Sequence, residues 1–285
     1  MNDVNQSPIA AYKEEVAQYT KKDAIHAILF FVGITLAGLI EVAVVNYFDL
    51  PGNIRTAQIS KIIWLVILIL YLKGKKQKLH TVGLHLSDWK KPLAVGLIFV
   101  FLSQFGGNGI FPGIFGGWQM NPASLIIEMF IILLFAAFWE DVVYVGFVQT
   151  RIYGLIKKDW LAITLGAVIF TTMHYPMLIS QAISSGEGFG FEFWSYLAFR
   201  SIPWFIMHIL FNDVFRQLRS IIPVTLLHFS GNFAGFGSFW NEEFPNFYVG
   251  SVTQTIVTLL SMSIIWWILP YLNKRKAAKQ KTAAS

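Results

Sequence analysis

Residues Pro122–Val148 read PASLIIEMFIILLFAAFWEDVVYVGFV, a run in which only Glu128, Glu140 and Asp141 ionise. About 20 mostly apolar residues cross the hydrocarbon of a bilayer as one helix, because a helix satisfies its backbone polar groups internally. The run is therefore read as a membrane-spanning helix. The surrounding chain is of the same kind: 55% of its 285 residues are hydrophobic, 13% are charged, and the mean hydropathy is +0.56. Soluble domains carry roughly a quarter charged residues. Outward from the quoted run, comparable stretches fall near 24–47, 58–72, 92–112, 160–180, 193–211, 220–236 and 250–272. The expected fold class is all-α: a polytopic membrane protein of about eight transmembrane helices, with both termini cytoplasmic.

Loop charge sets the orientation. With the N-terminus inside, all of the 22 Lys and Arg except Arg55, Lys61 and Arg200 fall in segments 1–23, 73–91, 149–159, 212–219 and 273–285. These would all be cytoplasmic, as the positive-inside rule requires. The opposite loops, 181–192 and 237–249, carry Glu187, Glu192, Glu242 and Glu243. Lys61, in the short second stretch, is expected to snorkel to the interface. The expected organisation is a cytoplasmic segment 1–23, a single helical domain 24–272 and a basic tail 273–285. The net charge of +6 and the pI near 9.4 are then topology charge, helped by attraction to anionic membrane lipids, and imply no nucleic-acid partner. The absence of cysteine excludes disulfides, thiolate metal sites and a thiol nucleophile.

Ionisable groups within hydrocarbon are costly and mark functional candidates. They are Glu41, Glu128, Glu140, Asp141, His174, Arg200, His208 and His228, with Asn232 as a neutral companion. Glu41, Glu128 and Arg200 read as structural, and His208 as an interfacial or helix–helix hydrogen bonder. His26, His80 and His85 lie at or beyond the membrane edge. The others are patterned: Glu140 and Asp141 are adjacent, His174 follows Phe170 by one turn, and Asn232 follows His228 by one turn. A carboxylate base, two imidazoles and an amide on three helices can activate water and stabilise an oxyanion.

The segment Glu140-Asp141-Val142-Val143-Tyr144-Val145-Gly146 resembles the Glu-Glu-x-x-x-Arg-Gly motif of the CAAX-protease and bacteriocin-processing family of intramembrane proteases (CPBP, or Abi). Phe170–His174 is similar to that family's Phe-x-x-x-His, and His228–Asn232 to its His-x-x-x-Asn, in the same order. The resemblance is centred on 122–236. It implies a multi-pass protein of a bacterial cell membrane that hydrolyses a membrane-associated peptide or protein. Glu140 would activate water, His174 and His228 would be the essential histidines, and Asn232 would stand on the oxyanion side. It leaves two mechanisms open. Glu140, His174 and His228 would be the ligands if zinc is bound; otherwise Glu140 is a metal-free base. Two positions depart from the motif: Asp141 replaces the second glutamate, and Val145 the arginine. Without that arginine the two carboxylates have no local counter-charge in the sequence, and Arg151 is off their face.

Two functions of different kinds follow: an intramembrane endopeptidase, or a catalytically silent scaffold or regulator in bacteriocin immunity or cell-envelope control. A transporter fits less well, since repeated halves are absent. The topology is checked with reporters active only in the cytoplasm. Fusions after residues 90, 157 and 278 should be active and those after 115, 186 and 244 silent. Activity at 186 would refute the eight-helix order.

Overall fold

The computed structural model describes residues 8–48, 56–85, 89–104, 121–186 and 188–236, with isolated positions between 256 and 275. The described secondary structure is all helical. The stretches expected at 24–47 and 58–72 form α2 (Lys21–Tyr47) and α3 (Thr56–Gly74), and α4 (Lys90–Phe101) covers the first part of 92–112. Most of the expected helix 250–272 lies outside the described residues. Helix α2 starts at a reciprocal cap: the Thr20 amide donates to Asp23 Oδ2 at 2.9 Å, and the Asp23 amide to Thr20 Oγ1 at 3.3 Å.

The polar lead-in folds as well. Helix α1 (Pro8–Ala17) buries Tyr12 and Val16 against the bundle, and Tyr19 follows. Its charges reach over the helix ends: Glu15 pairs with Arg219, and Lys13 lies 3.5 Å from Asp159.

The run at 122–148 becomes α5 (Ala123–Asp141) and continues as a π-helical stretch, Val142–Gln149, ending in a short turn, Thr150–Ile152. A π stretch loosens the usual carbonyl pairing, and here polar side chains take up a carbonyl. The Gly146 oxygen accepts from Thr150 Oγ1 at 2.7 Å and from Arg151 Nη1 at 3.0 Å. Gly146 itself permits close approach, because a Cβ there would stand 2.6 Å from the Val82 carbonyl oxygen. Arg151 is wholly buried (0% exposed). Its Nη2 donates to Gln77 Oε1 at 2.7 Å and Thr81 Oγ1 at 2.9 Å, and its guanidinium faces the Tyr19 ring at 4.5 Å. Burial pushes the Tyr19 hydroxyl up to about 12.

The stretch expected as one helix at 160–180 is two: α6 (Asp159–Thr172) and α7 (Tyr175–Ser185), parted at Met173-His174. Pro176 in the first turn of α7 has no amide hydrogen to continue the ladder, so the chain restarts there. Helix α8 (Phe191–Leu218) outruns its expected end and carries much of the supposed cytoplasmic segment 212–219 as buried helix. Helix α9 (Ile222–Phe236) packs on α4 and α5, while α8 packs on α6.

By length and composition, Lys21–Glu41 and Asp159–Ser180 are apolar enough to cross a membrane. The outer faces of α2 and α3 present large apolar side chains, among them Leu29, Ile40, Ile63 and Leu70. Replacing Arg151 by Met would remove its hydrogen bonds to Gln77, Thr81 and the Gly146 carbonyl at a buried site. Arg151→Met should lower stability by about 2–3 kcal/mol. Unfolding in detergent checks this, with the more exposed Lys157→Met as the comparison.

Candidate active site

Adjacent residues on a helix point about 100° apart, so Glu140 and Asp141 at the end of α5 meet different neighbours. Asp141 is wholly buried, and its Oδ1 accepts from His228 Nδ1 of α9 at 3.0 Å. Glu140 reaches the same ring from the other side, with Oε2 3.7 Å from His228 Nε2. A carboxylate accepting from Nδ1 fixes the ring, and with it the direction of Nε2. The second carboxylate of the motif is therefore a clamp on the histidine, a task to which the shorter aspartate is suited.

The other Glu140 oxygen, Oε1, lies 3.3 Å from Lys61 Nζ of α3. This corrects two sequence readings. Lys61 does not snorkel to an interface, and Glu140 does not lack a counter-charge. The ammonium also lies 5.5 Å from the Trp139 ring centre. Val145 is packed in the apolar core, and Arg151 serves Gln77 and Thr81 rather than the carboxylates.

His174 sits at the break between α6 and α7. Its Nδ1 donates to the Phe170 carbonyl at 3.0 Å, and its ring stacks on Trp204 of α8 at 4.2 Å. A carbonyl only accepts, so the proton is on Nδ1 and Nε2 keeps its lone pair. His174 joins the cluster through the Phe170 ring, whose centre is 5.1 Å from His174 and 5.9 Å from His228. Asn232 is half-buried one turn beyond His228. The structure thus brings Glu140, Asp141 and His228 into direct contact, places His174 one aromatic ring away, and has Asn232 one turn along α9 from His228.

His208 was read as interfacial or as a helix–helix hydrogen bonder. It is buried (1% exposed), stacked on Phe170 at 4.6 Å, and neither ring nitrogen has a hydrogen-bond partner among the described residues. Glu41 and Glu128 are half-buried at other points of α2 and α5, and Arg200 Nε donates to Tyr196. For zinc, the donor types of Glu140, His174 and His228 are suitable. Among the described residues, however, no group of three His, Asp or Glu side chains has the placing to hold a metal ion, and Glu140 Oε1 faces the Lys61 ammonium. No chemical step below is routed through a metal.

The fold and site define an all-α protein with a carboxylate–imidazole cluster buried among its helices. Residues 122–234 match the family model described as Rce1-like, type II CAAX prenyl endopeptidase, which supports the CPBP family for this chain. The match spans the helices that carry Glu140, Asp141, His174, His228 and Asn232, and leaves α1 to α4 unmatched. No curated protein matches the chain.

The Asp141–His228 contact should show as energetic coupling. A double-mutant cycle on Asp141→Asn and His228→Gln, read from unfolding in detergent, should give about 1–3 kcal/mol of non-additivity. Strict additivity would mean that the two side chains do not meet.

Proposed function

We propose that the chain is an intramembrane endopeptidase that hydrolyses a peptide bond of a membrane-associated peptide or protein with water activated by Glu140. The observation that carries this reading is His228 held between two carboxylates, Asp141 on Nδ1 and Glu140 near Nε2. Asp141 fixes the imidazole, so Glu140 is free for a substrate proton. Water held against Glu140 gives up its proton to that carboxylate as its oxygen bonds to the scissile carbonyl carbon. With His228 as the imidazolium, its Nδ1–H on Asp141 and its Nε2–H on the side of Glu140, the resulting oxyanion accepts hydrogen bonds from Nε2–H and the Asn232 amide. The carbon–nitrogen bond then breaks, and the proton passes from Glu140 to the leaving amine. His174, through the lone pair on Nε2, orients the water by accepting its second hydrogen.

The apolar outer faces of α2 and α3 support a place in a membrane, and the loop charges of the sequence favour eight spans with both ends in the cytoplasm. We propose a bacterial cell membrane on the family resemblance alone. The family description names CAAX prenyl endopeptidases. A prenylated tail ending in Cys-aliphatic-aliphatic-X is accordingly the first substrate class, and an unprenylated leader or bacteriocin precursor the second. The scaffold reading rests on the two departures from the motif, Asp141 and Val145; the Lys61 ammonium beside Glu140 stands in for the missing arginine charge and so favours the endopeptidase.

The test uses purified protein in bicelles with internally quenched peptides, one with a prenylated Cys-aliphatic-aliphatic-X tail and one of leader type. Wild type should cleave one of them, and Glu140→Gln and His174→Ala should each lose at least ~100-fold in rate. A wild type that cleaves neither, or a Glu140→Gln variant at full rate, would return the chain to the scaffold class.

A further inference from the structure

Lys61 belongs to none of the three motifs and lies outside the matched segment, yet it is the group closest to Glu140 among the contacts of that carboxylate. We propose that Lys61 is a positioning residue of the site, which holds the Glu140 carboxylate back from His228 and so keeps open the place where water binds. The inference rests on the endopeptidase reading for its meaning, but on geometry alone for its substance.

Glu140 stands between two nitrogen groups. Its Oε1 is 3.3 Å from Lys61 Nζ, within hydrogen-bond reach, while its Oε2 is 3.7 Å from His228 Nε2, outside it. His228 cannot retreat, because its other nitrogen is held by Asp141 at 3.0 Å. The carboxylate is thus tethered on one side and stopped short on the other. A water molecule resting against both Oε2 and Nε2 at ordinary hydrogen-bond lengths fits a separation of this size.

The tether is itself fixed. Lys61 and Glu140 are mostly buried, with side chains 20% and 15% exposed, and the ammonium is further held over the Trp139 ring. Trp139 precedes Glu140 in the chain, so one lysine grips two consecutive residues of α5. Take the ammonium away, and His228 is the remaining cationic or donor group in the ion-pair contacts of Glu140 among the described residues. The carboxylate would then move in by roughly 0.8 Å to reach a normal hydrogen-bond length. It would form a closed Asp141–His228–Glu140 chain with no open side for water. A misplacement of about 1 Å in a catalytic group can cost about 100-fold in rate.

The experiment has two arms on the full chain in bicelles, with Lys61→Met, Lys61→Gln and the conservative Lys61→Arg. In the first, 15N-histidine spectra follow His228. Its Nε2 resonance should shift in Lys61→Met and Lys61→Gln, return toward the wild-type position in Lys61→Arg, and show no Lys61-dependent shift in a Glu140→Gln background. In the second, on the cleaved quenched peptide, Lys61→Met should lose about 30–100-fold in kcat with KM within about twofold, and Lys61→Arg should recover most of that loss. An unmoved His228 resonance in both neutral variants, or full kcat in folded Lys61→Met, overturns the proposal. A wild type without activity removes the endopeptidase reading but leaves the resonance arm to decide the Lys61 contact on its own.

Discussion

A carboxylate among apolar helices must find a partner, and this chain places two of them side by side at the end of α5. Much of the bundle's interior follows from how they are satisfied. Asp141 turns toward α9 and accepts a hydrogen bond from His228 Nδ1, while Glu140 turns toward α3 and meets Lys61. Two neighbouring residues thus pin α5 to two helices far apart in the sequence. Removing one member of such a buried set leaves the other uncompensated, at a cost of several kcal/mol. The same contacts that hold the helices together therefore also fix the geometry of the candidate site.

Below the carboxylates, the π stretch and Arg151 form a second anchor. Arg151 bonds the Gly146 carbonyl, Gln77 and Thr81, and lies against Tyr19. One cation thereby joins the end of α5, the segment after α3 and the chain between α1 and α2. With α1 tied across the same end through Glu15 and Lys13, the lower part of the bundle is closed around a polar knot. A site that must hold side chains to a fraction of an ångström needs such a rigid surround.

The motif residues were legible because ionisable side chains are rare in an apolar chain. Glu140, Asp141, His174 and His228 stand out against valine and phenylalanine, and the helical period of 170–174 and 228–232 put each set on one face. Lys61 was equally rare in its stretch and was assigned to an interface, since a long stem usually allows that escape. The signal that would have placed it was complementary: a buried carboxylate lacking a cation and an apolar helix carrying one. His208 left no such trace, because its neighbour is the ring of Phe170 and periodicity does not distinguish a buried face from a lipid-facing one.

By itself the sequence determined the helical class, the approximate extents of α2, α3, α5 and α9, and the polar groups destined for a common interior. Those depend on local composition and on the cost of exposing backbone or charge to hydrocarbon, which one chain segment decides alone. Tertiary structure decided which partner each carboxylate took, that Asp141 clamps while Glu140 stays open, and that Lys61 supplies the missing charge. It also decided the break at His174, where Pro176 ends one ladder and Trp204 of a third helix receives the imidazole. Such choices turn on the rotation and depth of helices relative to one another, which are set by packing between residues distant in the chain.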